Sequence, residues 1–143
     1  MTDVERWWGM GDAGAGANDR ERGGAEEPRV LCDVDSLSAD PAAAGGALWR
    51  LAEPGRQLDA NLIRIPPDGR ITPHVEPELD VLVLVVAGSG TLGTEPPQPL
   101  TAGSLVWLPR GAVRSLTADG EGLSYVTVHR RRAALQIKTR PPV

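Results

Sequence analysis

Apolar positions along this chain come in short runs punctuated by glycine and proline, and no segment after residue 46 keeps a sustained helical period. The clearest run is Val81-Leu82-Val83-Leu84-Val85-Val86. It is rich in β-branched residues, bounded by turn residues and too short for a lone helix, so it reads as a strand covered on both faces. The same reading predicts strands over Val30–Leu37, Ala47–Leu51, Leu58–Ile65, Ile71–Val75, Asp80–Ala87, Gly90–Leu92, Ser104–Leu108, Val113–Ala118 and Leu123–His129. Ala134–Ile137 adds an edge strand. Glu53-Pro54-Gly55, Pro66-Pro67-Asp68-Gly69 and Asp119-Gly120-Glu121-Gly122 read as turns, and the proline-rich Glu95–Pro99 as a loop. Many short strands split by such turns make the fold class all-β, a sandwich or a barrel.

Composition changes that picture at the ends. Residues 1–28 are rich in glycine, alanine and acids and cannot bury enough apolar surface to offset the cost of ordering. They form a flexible tail ahead of a single domain over 29–143, with its core in 47–130. Trp7-Trp8 is the apolar exception, either a frayed end or an arm that docks into a groove of its own or a partner chain. The length of 143 residues suits one domain. No stretch approaches the ~18 apolar residues of a membrane span, and the first residues lack the basic start and apolar centre of a secretory signal. A cytoplasmic protein is the expectation. The single cysteine, Cys32, excludes an internal disulfide and a cysteine-based zinc site, and reads as a small hydrophobe.

The net charge of −4 is unevenly spread: residues 1–45 carry −6 and residues 46–143 carry +2. All the bases but Lys138 are arginine, which reflects a GC-rich genome. The one basic run, Arg130-Arg131-Arg132, is short and has no interleaved aromatic residues, so no nucleic-acid partner is expected.

Two blocks carry chemistry. The first runs from Gly69 to Gly88 and holds His74, one of two histidines, with Glu76, Glu78 and Asp80. The second, Gly103 to Arg114, is a strand followed by Pro109-Arg110-Gly111 and a charged side chain. Together they resemble the paired motifs of the cupin superfamily. The first motif there is a glycine, then His-x-His, an acid and a closing glycine, matched here by Gly69, His74-Val75-Glu76, Val81 and Gly88. The second is a glycine, five residues, Pro-x-Gly, two residues and a histidine; here every position is in register, with Arg114 in place of the histidine. The resemblance covers about residues 47–130 and implies a cupin-type jelly-roll barrel, the double-stranded β-helix, with its site inside the barrel mouth.

It also implies where a metal would go. Metal-binding cupins use three histidines and one glutamate; position by position this chain offers His74, Glu76, Val81 and Arg114. Asp80 precedes the acid position by one residue, and one step along a strand points to the other face unless a bulge intervenes. Arginine stays protonated and has no acceptor lone pair. The reading is a metal-free pocket with no cofactor, in which Arg114 pairs with Glu76 in the metal's place. The rival is a divalent metal (Fe, Mn, Zn or Ni) on His74, Glu76 and His129, which requires His129 to face inward. The parity of the last strand is open: it presents either Tyr125, Thr127 and His129, or Ser124, Val126 and Val128.

Without metal, Arg114 would clamp a carboxylate or oxyanion, and His74 could shuttle a proton with Glu76 orienting it or acting as base. Val81 and Val83 would wall the pocket, and Trp107 and Tyr125 supply its aromatic contacts. Trp107 equally suits the core or an interface. Two functions follow, a module that binds or senses a small anionic or carbonyl-containing molecule, and a small enzyme. The enzyme would be an acid–base isomerase or cyclase without metal, or an Fe- or Mn-dependent oxygenase or isomerase. Leu82, Leu84 and Val86 form a second aliphatic face, covered by the other sheet or by a second subunit, so a homodimer is expected.

Overall fold

The structure, a computed structural model, describes residues 27–40 and 44–132. The expected tail, its Trp7-Trp8 pair and the edge strand at Ala134–Ile137 lie outside the described residues, apart from the tail's last two positions. Among the described residues, one short helix, α1 (Val34–Ser38), precedes seven strands: β1 (Gly46–Arg50), β2 (Leu58–Ile65), β3 (Arg70–Val75), β4 (Val81–Leu92), β5 (Gln98–Thr101), β6 (Leu105–Leu108) and β7 (Val113–Arg130). Every pairing is antiparallel, in the order β1-β2-β7-β4-β5, with β3 also on β7 and β6 also on β4.

β4 and β7 are the spine. The first half of β4 pairs β6 and the second half of β7, while its second half pairs β5 and the first half of β7. Each long strand therefore belongs to both walls of a barrel and bends between them. Asp119-Gly120-Glu121-Gly122 lies inside β7 and does not separate two strands, and Asp80–Ala87 and Gly90–Leu92 are likewise parts of one β4. The turn residues act as a bend because the partner strand follows them round the corner, with register shifts at Val85/Ala87 and Gly88/Gly90. Gly88 has φ +76°, and a Cβ there would lie 2.0 Å from the Gly122 carbonyl oxygen. At Gly90 a Cβ would lie 2.2 Å from the Thr117 carbonyl oxygen. The corner exists because β4 presents bare backbone to β7.

Two further expectations are corrected. Val30–Leu37 is not a strand: Asp33 caps α1, its Oδ1 accepting from Asp35 N–H (3.0 Å) and Ser36 N–H (3.4 Å), and Val30 is exposed. A local side-chain cap over a polar stretch outweighs the β preference of Val30 and Leu31. Glu95–Pro99 is not wholly loop either, since β5 begins at Gln98 and includes Pro99, which is tolerated because β5 pairs β4 alone and is an edge strand.

The core fills the bend. Ile63, Ile65, Ile71, Leu92, Leu100, Leu116, Ala118, Leu123 and Tyr125 pack with Leu79, Val81, Val83, Val85 and Leu108. Val81, Val83 and Val85 all point inward, as the alternation requires. Their neighbours Leu82 and Leu84 are 39% and 40% exposed, so these two positions of the outer face are only partly covered. Cross-strand rungs extend that outer face: Leu82 sits opposite Trp107 and Val128, and Leu84 opposite Leu105 and Val126.

The corner yields a direct test. Gly88→Ala should cost about 2–4 kcal/mol of stability in urea denaturation, combining a left-handed backbone with a steric clash. Gly120→Ala, where a Cβ meets nothing within 4 Å, should stay within about 0.5 kcal/mol of the parent. Equal effects would mean that the β4–β7 approach is not the constraint described.

Candidate functional site

The far end of the barrel from the Gly88 corner is its mouth, and the two sequence blocks meet there. Gly111 N–H donates to the Glu76 carbonyl oxygen (2.8 Å), and Arg110 N–H donates to Asp80 Oδ1 (2.8 Å). Ala112 N–H closes the intervening turn on the Pro109 carbonyl (3.2 Å). This turn sets the phase of β7, so Arg114 falls directly opposite His74 on β3. Asp80 thus clamps the Pro109–Gly111 turn, and β4 starts at Val81 with no bulge to redirect the carboxylate inward.

Arg114 is 2% exposed and its Nη2 donates to the Pro109 carbonyl (2.7 Å). Burial lowers the pKa of this guanidinium, and the charges of Glu76 and Asp80 pull it back up. His74 is half-buried, with Nδ1 3.0 Å from the Thr72 carbonyl oxygen. A carbonyl only accepts, so Nδ1 carries the proton. Burial, reinforced by the Arg114 charge, lowers the His74 pKa, against the opposing pull of its backbone bonds to Thr72 and Arg114 and of the Glu76 charge. Near neutral pH the site therefore holds a neutral imidazole beside a fixed cation.

Glu76 is buried, and both its oxygens are engaged. Oε1 accepts from Glu78 N–H (2.9 Å), and Oε2 accepts from Arg132 Nη2 (2.6 Å). Arg132 also lies 3.7 Å from the exposed Glu78 carboxylate. Sequence reasoning nominated Arg114 as the partner of Glu76 and missed Arg132. Arg114 does feel the Glu76 charge, but the bond to Oε2 comes from the segment just after β7. The available signal was the Arg130–Arg132 run itself, an arginine cluster at the end of the last core strand.

The parity of β7 is fixed. Tyr125, Thr127 and His129 are buried inward, while Val126 and Val128 lie half-buried on the outer face; Ser124, at the register shift, is buried as well. His129 faces Asp59 across β2, and Thr127 faces Asn61, whose Nδ2 lies 3.4 Å from Thr127 Oγ1. Asp59 in turn accepts from Arg56 Nε (2.8 Å). Val81 and Val83 are interior wall residues, and Tyr125 lies deep in the core, where burial pushes its phenol pKa upward. Trp107 is not in the pocket: it is 59% exposed on the outer face, because β6 places it level with outward-facing Leu82.

The residues at the cupin metal positions do not fit a metal. Val81 offers no ligand, Arg114 brings a permanent cation, and Glu76 is committed to Arg132 and Glu78. Among the described residues, no group of three or more His, Cys, Asp or Glu side chains is placed to hold a metal ion, and His74, Glu76 and His129 are included in that statement. At the mouth, Arg114 and Arg132 lie near the Glu76 and Glu78 carboxylates, beside the Arg56–Asp59 and Arg110–Asp80 pairs.

No protein-family model and no curated protein matches the sequence. Solved structures do. The chain is similar to BH2720 from Bacillus halodurans (17% identity, TM-score 0.59, covering 75% of this chain and 83% of that one). It is similar to an uncharacterized conserved protein with a double-stranded β-helix domain from Klebsiella pneumoniae (19% identity, TM-score 0.56, 76% and 94% covered). KdgF from Halomonas sp. also resembles it (17% identity, TM-score 0.51, 58% and 78% covered). These likenesses concern the fold. The chain has the all-β double-stranded β-helix fold.

The lowered His74 pKa has a signed consequence. As pH falls through the unfolded histidine value of 6.5, the unfolded chain takes up a proton that the folded chain still refuses, so stability declines until the lower folded pKa is passed. Above that window His74 contributes no slope. Urea midpoints from pH 8 to pH 5 should therefore fall for the parent protein and fall less for His74→Gln. Parallel curves would refute the neutral, desolvated imidazole.

Proposed function

We propose that the barrel mouth binds a small anionic or carbonyl-containing molecule without a metal, as a binding or sensing module. The observation that carries this reading is the buried Arg114 guanidinium, held opposite His74 where a metal-binding cupin would hold its ion. A guanidinium already desolvated by the fold attracts an anion more strongly than one in water, and its planar fork suits a carboxylate or oxyanion. Val81 and Val83 supply the apolar wall on which the rest of a small ligand would lie. A second reading, metal-independent acid–base catalysis, is favoured by one feature: the lowered pKa of His74 keeps its imidazole neutral at physiological pH. The two readings part at His74→Gln, which weakens binding modestly in a module and abolishes turnover in an isomerase or cyclase.

Protein purified without chelator or metal-affinity tag should carry far less than one transition metal per chain by plasma mass spectrometry. Titration with Fe(II), Mn(II), Zn(II) and Ni(II) should show nothing tighter than about micromolar, roughly −8 kcal/mol. Small carboxylates should bind by calorimetry, and Arg114→Met should weaken them at least about tenfold, a loss of about 1.4 kcal/mol. Near-stoichiometric metal that disappears in His129→Ala would overturn the reading.

The outer face suggests a partner of its own kind. Leu82, Leu84, Leu105, Trp107, Val126 and Val128 form an uncharged patch on three adjacent strands, and a flat apolar rung pattern can meet itself across a two-fold axis. We propose a homodimer through this face. Light scattering should give a dimer for the parent protein and a monomer for Leu84→Glu with its fold intact. A parent monomer at tens of micromolar would refute it.

A further inference from the structure

The hydrogen-bonding capacity left over at the mouth narrows the kind of anion. This step rests on the anion-binding reading above and adds a second ligand group to it. Two buried side-chain nitrogens near the end of β7, His129 Nε2 and Arg132 Nε, have no hydrogen-bond partner among the described residues. They are of opposite kind. Arg132 Nε–H can only donate, while its Nη2 is already spent on Glu76 Oε2. His129 Nδ1 lies 2.7 Å from the Arg130 carbonyl oxygen, which only accepts, so Nδ1 carries the proton. Nε2 of the neutral His129 ring is then a lone pair in need of a donor. Leaving such groups buried and unmade costs about 1–3 kcal/mol each, so their natural complement is a molecule that supplies both missing partners.

We propose that the ligand is a hydroxycarboxylate. One carboxylate oxygen accepts from Arg132 Nε–H in the field of Arg114, and the ligand hydroxyl donates its proton to His129 Nε2. Arg132 is thereby a binding residue, and its bridge to Glu76 fixes the guanidinium before the ligand arrives, which lowers the ordering cost of binding. His129 is a specificity residue, because a carboxylate without a hydroxyl leaves its lone pair unsatisfied. A site built to hydrogen-bond a hydroxyl discriminates strongly against the analogue that lacks it.

A matched four-carbon series tests this on the full-length protein: 2-hydroxybutanoate, 3-hydroxybutanoate, butanoate and 1-butanol, measured by titration calorimetry. At least one hydroxybutanoate should bind about tenfold or more tighter than butanoate, and 1-butanol should not bind. Arg132→Lys, which keeps the charge but removes Nε–H, should weaken every carboxylate. His129→Leu should bring the hydroxybutanoates down to the level of butanoate and leave butanoate itself unchanged. In the unsubstituted protein, the His129 Nε2 nitrogen resonance should shift with a hydroxybutanoate and not with butanoate, a readout that holds even if His129→Leu fails to fold. If no carboxylate binds, the anion site itself fails. If butanoate binds as tightly as both hydroxybutanoates and the Nε2 resonance is silent to all, the anion site stands and the hydroxycarboxylate proposal is overturned.

Discussion

Everything at the mouth depends on a contact at the opposite end of the barrel. Gly88 brings β4 so close to β7 that the Gly122 carbonyl fills the space where a side chain would begin. That approach lets both strands turn from one wall to the other without losing their ladder. Because β7 folds back on itself in this way, Arg114 near its start and His129 near its end reach the same opening. A turn that ended the strand at Asp119 would have left the two halves free to choose separate registers. The corner therefore sets the relative phase of the cation on one wall and the imidazole on the other.

The mouth closes this arrangement with polar links between segments far apart in sequence. The Glu76 carbonyl and the Asp80 carboxylate hold the Pro109–Gly111 turn, and the Glu76 side chain draws Arg132 back from beyond the last strand. These links engage two of the three acids of the first block: Asp80 becomes a clamp and Glu76 an anchor. A carboxylate already engaged by the fold is poorly placed to ligate a metal.

Much of this was legible in the chain. The Gly103…Pro109-Arg110-Gly111…Arg114 spacing placed Arg114 at the mouth, and the alternation at Val81, Val83 and Val85 identified the inner wall. β2 was read to the residue because Pro66 ends it. The misreadings share one cause, which is that local patterns do not report on distant partners. Asp119-Gly120-Glu121-Gly122 looks like a turn unless β4 is known to accompany it. Trp107 looks like a pocket residue until its rung with Leu82 shows which way it faces. Val30 and Leu31 look like a strand, but the capping oxygen of Asp33 claims the residues that follow. The Arg130–Arg132 run marks a cluster of cations but not its partner, since nothing nearby in sequence links Arg132 to Glu76, and the parity of His129 waited on the register of β2.

The division of labour between corner and mouth bears on how such a barrel can change. The positions that tolerate no side chain, Gly88 and Gly90, lie at the corner, whereas His74, Val81 and Arg114 stand at the mouth on rungs whose backbone is already paired. Exchanging a side chain on such a rung leaves the ladder intact. The scaffold and its chemistry are thus inherited separately, and a lineage can lose one occupant and acquire another without passing through an unfolded ancestor.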